Sequence, residues 1–148
     1  MQPPLRALGT ATVAAACLAS AARAQPVSQT AFKARLTPVP VEASTSGITG
    51  SGFVTATLAG PKLSVDGTFT GMKSAATLAQ VHFGPKGIRG PVEFALTVEN
   101  APAGTISGHL TLTKVQVDSL RKGWFYIQIH AEKAPDGNLW GWLLPNEK

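Results

Sequence analysis

Of the chain's 148 residues, the 124 after position 24 are enough for one domain with its own core and too few for two. Its formal charge of +5 comes from scattered basic residues, not from a stripe interleaved with aromatics, which excludes a nucleic-acid-binding module. The single cysteine, Cys17, excludes a disulfide framework within the chain.

Residues 1–24 read as a signal peptide. Arg6 supplies the positive start, residues 7–22 are uncharged and alanine-rich, and Ala22-Arg23-Ala24 is a small-x-small cleavage site. That stretch is shorter than the roughly 20 apolar residues a bilayer span needs, and no later segment is a candidate for a transmembrane segment. Ala14-Ala15-Ala16-Cys17 departs from a lipoprotein box, because Ala14 stands where a large aliphatic residue is usual, so no lipid anchor at Cys17 is expected. Cleavage after Ala24 removes Cys17, Arg6 and Arg23, which lowers the charge by two and leaves no thiolate for a metal site. The processed chain is expected to be exported, periplasmic or extracellular.

Residues 25–30 read as a flexible leader and 31–145 as one β-domain. Period-two alternation then sets the elements in turn. Phe32, Ala34 and Leu36 alternate with Lys33 and Arg35. A strand near residues 52–58 precedes the Gly60-Pro61 turn, and Leu63, Val65 and Phe69 alternate with polar residues after it. A strand near residues 78–83 carries Gln80 and His82 on one face and runs into Gly84-Pro85. The cleanest alternation is Val92, Phe94, Leu96 and Val98 against Glu93, Ala95, Thr97 and Glu99. Ile106, Leu110 and Leu112 follow the Ala101–Gly104 turn. Residues 114–122 break the pattern as a short helical turn, with Arg121 and Lys122 at its end and Gly123 at its cap. Phe125, Ile127 and Ile129 then alternate with Trp124, Tyr126, Gln128 and His130. Pro135-Asp136-Gly137 reads as a turn before a last strand near residues 139–144. About eight short strands without crossover helices predict an all-β, antiparallel Greek-key or immunoglobulin-like β-sandwich.

These pieces resemble a CHRD domain, the module named after chordin that also occurs alone in exported bacterial proteins. The resemblance runs from about Phe32 to Leu144. Phe32-Lys33-Ala34-Arg35-Leu36 with Val39-Pro40 is similar to the family's opening strand and turn, and residues 80–92 to its His-x-His, glycine and Gly-Pro-Val stretch. Residues 120–130 are similar to its leucine, glycine, aromatic and histidine block. Two departures stand out. Gln80 replaces the first histidine of His-x-His, and Asn138, Trp140 and Trp142 replace the Glu, Arg and Gln of the closing strand. Spaced two apart, these three fall on one face, which becomes aromatic.

The resemblance implies that the strands carrying His82 and His130 are neighbours. Two imidazoles with the Gln80 amide then suit copper or zinc, and histidines bonded only to backbone are the plainer alternative. Trp124, Tyr126, Trp140 and Trp142 are candidates for an aromatic surface facing a protein, a glycan or a small molecule. No Gly-x-Ser-x-Gly elbow and no cysteine nucleophile remain after cleavage. Asp66 and Asp136 read as Asp-Gly turn residues, and Glu93 and Glu99 as solvated charges. The expectation is a non-enzymatic CHRD-domain binding module, with a periplasmic metal-binding protein as the alternative.

Overall fold

The computed structural model describes residues 24–40 and 47–146. The expected signal peptide, apart from Ala24, lies outside the described residues, and so does Cys17. Among the described residues, nine strands and one helix follow in chain order: β1 (Gln29–Pro38), β2 (Ser51–Ala59), β3 (Lys62–Thr70), β4 (Ala76–Phe83), β5 (Val92–Val98), β6 (Gly104–Thr111), α1 (Lys114–Arg121), β7 (Phe125–Ala131), β8 (Ala134–Trp142) and β9 (Leu144–Pro145). All pairings are antiparallel. No helix among the described residues is long and apolar enough to cross a membrane.

The strands form a closed, barrel-like circuit of eight, with the two-residue β9 attached to β1, in place of the expected sandwich. Two strands make the closure. Residues Gln29 to Leu36 of β1 pair with β2, while Thr37 and Pro38 turn to pair with Trp140 and Leu139 of β8. Likewise β5 pairs with β4 along most of its length and with β6 only at Thr97 and Val98. Sandwiches and barrels both bury alternate residues, so alternation alone does not distinguish them.

Inward-facing residues from most strands meet in one core, with Phe32 and Leu36, Val54 and Leu58, Leu63 and Val65, Val81, Ile106, Ile127 and Ile129, and Leu139 almost fully buried. Leu120 of α1 joins them. Thr113 caps that helix by a reciprocal capping box with Gln116, and Gly123 leaves it with φ +72, the left-handed conformation that suits glycine after a helix end.

Two turn assignments change. Asp66-Gly67 lies inside β3, opposite Thr55 and Ser107, and a Cβ on Gly67 would stand 2.8 Å from the Phe53 carbonyl oxygen. Pro135-Asp136-Gly137 lies inside β8, and the turn falls instead at Glu132-Lys133. The reason is a bulge: Ile129 pairs with Leu139 and Ala131 with Ala134, so four residues of β8, 135–138, face His130 alone. Glu93 and Glu99 are exposed yet bonded: Glu93 Oε2 accepts from Gln116 Nε2 at 2.8 Å, and Glu99 Oε2 accepts from the Thr105 amide.

Candidate functional site

On the outer side of β4, β7 and β8, register places His82, Tyr126 and Trp142 in one row and Gln80, Gln128 and Trp140 in the next. His130 follows, opposite Leu78. These residues alternate with the core residues Val81, Ile127, Ile129 and Leu139, which is why one short stretch of each strand serves both faces.

Much of this outer face is covered. Residues 84–91 fold back over it, tied by Trp142 Nε1 donating to the Gly84 carbonyl (2.9 Å) and the Gly90 amide donating to the Tyr126 hydroxyl (3.0 Å). Tyr126 in turn donates to the Gly90 carbonyl (3.3 Å). The Arg89 guanidinium lies 5.7 Å from the Trp140 ring centre and reaches the Asp136 and Pro40 carbonyls at 3.5 Å. Tyr126 is 1% exposed and Trp142 9%, while Trp140 is half-buried.

Tyr126, Trp140 and Trp142 form one ring cluster, with centroids 4.7–5.9 Å apart. Trp124 stands apart from it. It follows α1, packs edge-on against Phe83 at 6.0 Å and carries Lys122 Nζ 5.2 Å from its ring centre. The aromatic face is therefore a partly covered cluster of three rings. Its open edge borders a cleft of about 350 Å³ lined by Arg35, Thr37, Lys86, Trp140, Trp142 and Leu144.

His82 and His130 come together, with ring centroids 6.4 Å apart. His82 is 8% exposed and stacks on Tyr126 at 4.9 Å. Its Nδ1 lies 3.0 Å from the Gly90 carbonyl oxygen, and His130 Nδ1 lies 2.7 Å from that of Pro135. A carbonyl only accepts, so each Nδ1 carries a proton, and in the neutral tautomer that this bond selects the lone pair lies at Nε2. Both Nε2 atoms are buried and have no hydrogen-bond partner. Burial pushes the His82 pKa below its usual 6.5. The Gly90 carbonyl opposes this, and His130 and Arg89 add to it.

Gln80, half-buried, pairs with Gln128 in the row between the histidines' positions. Among the described residues, no group of three or more His, Cys, Asp or Glu side chains is placed to hold a metal ion. Gln128, Arg89 and the 135–138 bulge were missed as site residues. Gln128 Nε2 donates to the Asp136 carbonyl at 2.9 Å, and a Cβ on Gly137 would overlap that amide. The usable signal was the Tyr126-Gln128-His130 alternation itself. His109 is exposed on β6, its Nδ1 3.2 Å from Ser64 Oγ.

Comparison with protein families gives one match: the sequence model of the CHRD domain covers residues 32–143. No curated protein and no solved structure matches the chain.

Proposed function

The chain belongs to the CHRD domain family, and from that premise we propose that it is a non-enzymatic binding module that works after export, in the periplasm or outside the cell. The observation that carries this reading is the asymmetry of the outer surface. Trp140, Trp142, Arg35 and Lys86 gather around one cleft, whereas the outer face of β3 and β6 presents Ser64, Asp66, Ser107 and His109. An aromatic wall beside two cations suits a ligand with an apolar face and a negative group, on a partner protein, a glycan or a small molecule. A photoreactive residue placed at Thr37 or Lys86, with a control at His109, tests it in the native compartment. Adducts from the cleft positions alone are expected. Equal adducts at His109, or none at the cleft, would overturn it.

A second reading is a metal-binding protein that takes copper or zinc at His82 and His130, with the Gln80 amide nearby. Two buried, unpartnered Nε2 atoms on neighbouring strands favour it. Each Nδ1–H is anchored on a carbonyl, the arrangement that orients ligating histidines. Copper or zinc should raise the melting temperature of the native chain and leave a His82→Ala/His130→Ala variant unmoved. An equal rise in both would remove this reading.

A further inference from the structure

We infer that the ion suited to the His82–His130 pair is monovalent copper, Cu(I), bound between the two Nε2 atoms; this rests on the metal-binding reading above. Distance comes first. An ion seated between facing imidazole nitrogens, with bonds of about 2 Å and ring radii of about 1.1 Å, places the ring centres roughly 6 Å apart. The observed separation is 6.4 Å.

Charge then selects among ions that accept imidazole. The cost of moving an ion out of water rises with the square of its charge, so a divalent ion costs about four times as much as a monovalent one of equal size. Here both ligands are neutral, and among the described residues no cluster supplies a compensating carboxylate. The Arg89 charge that acts on His82 is positive. Zinc ordinarily completes a four-coordinate shell, and Cu(II) a tetragonal one of nitrogen and oxygen. A low-charge ion content with two nitrogen ligands matches what the pair offers.

The surroundings point the same way. Tyr126 stacks on His82 and contacts Trp142 at 4.8 Å, so one wall is aromatic and dry, and hydrated divalent ions gain nothing there. His130 is half-buried, at the rim of this wall.

The test uses the full chain carrying Cys17→Ser, so that no thiol competes for copper. Under anaerobic conditions, Cu(I) is titrated against the chromophoric chelator bicinchoninate, and Zn(II) and Cu(II) are titrated by calorimetry. One Cu(I) per chain is expected, at least about 100-fold tighter than Zn(II). Binding should be lost in His130→Ala, a change at the rim that spares the core, and in His82→Asn, with circular dichroism confirming the fold. Zn(II) or Cu(II) bound at these histidines as tightly as Cu(I) would overturn the inference and leave the metal-binding reading standing. No binding of any of the three ions would overturn both. Cu(I) binding that survives both substitutions would place the copper elsewhere and also overturn the inference.

Discussion

His82 and His130 meet although the β-ladder does not pair them. His82 lies opposite Tyr126, and His130 is four residues further along β7, opposite Leu78. At about 3.3 Å per residue their backbones are roughly 13 Å apart along the strand, yet their ring centroids are separated by 6.4 Å. Each ring is held by its Nδ1 on a carbonyl outside the β4–β7 ladder, His82 on Gly90 of the covering loop and His130 on Pro135 of the β8 bulge. The loop and the bulge thus lean two distant side chains toward one point.

That arrangement makes stability depend on acid. Burial holds the His82 pKa below 6.5, the value an unfolded imidazole retains. Below that pH the unfolded chain takes up a proton that the folded chain refuses. The contribution of the neutral buried ring is therefore complete above 6.5 and is lost as pH falls through the folded pKa. Denaturant midpoints measured from about pH 7.5 down to about pH 5 should fall for the native chain and fall less for His82→Asn. Equal slopes would show that His82 does not cause the loss.

Tyr126 fastens the covering loop with both its donor and its acceptor, each on Gly90. Tyr126→Phe keeps the ring and strands the Gly90 amide, a change expected to cost about 1–3 kcal/mol. It should also speed hydrogen exchange at Gly90 while leaving the amides of β2 and β3 protected. Uniformly faster exchange would mean that the hydroxyl supports the whole barrel and not the loop alone.

The strands were legible because alternation reports burial directly, and Phe32, Ala34 and Leu36 are buried where the pattern puts them. It misled at β5. Val92, Phe94, Leu96 and Val98 form the cleanest pattern, yet Val92 is 50% exposed and the other three are only partly buried, since β5 bends at a seam held by two residue pairs. Closure depends on which strands β1 and β5 meet at their ends, a long-range choice that period two does not encode. The site was half legible. Its histidines and three of its aromatics were visible as one-face residues, whereas the covering loop and the bulge depend on carbonyl positions that side-chain patterns do not reveal.

Gly137 shows the same limit and offers a check. Asp136-Gly137 has the composition of a turn, but the glycine serves the bulge: its φ is +130, and a Cβ would collide with the Gln128 amide. Gly137→Ala should destabilise the chain by about 1–3 kcal/mol, more than an ordinary exposed strand substitution. Adding Gln128→Ala removes the clash but not the backbone strain, so the double variant should recover part of the loss. Strictly additive effects of the two substitutions would mean that the close contact does not matter.

The three tryptophans should separate by quencher. Trp124 is 37% exposed beside Lys122, Trp140 is half-buried under Arg89, and Trp142 is 9% exposed with its indole N–H on the Gly84 carbonyl. Iodide is drawn to the cations beside both Trp124 and Trp140, so Trp124→Phe and Trp140→Phe should each remove part of the iodide-quenchable emission, and Trp142→Phe almost none. A ligand entering the cleft beside Trp140 should then alter emission that survives in Trp124→Phe and disappears in Trp140→Phe. Emission from Trp142 that iodide quenches as readily as Trp124 would mean that residues 84–91 open in solution, exposing the aromatic cluster together with the histidine pair they help to hold.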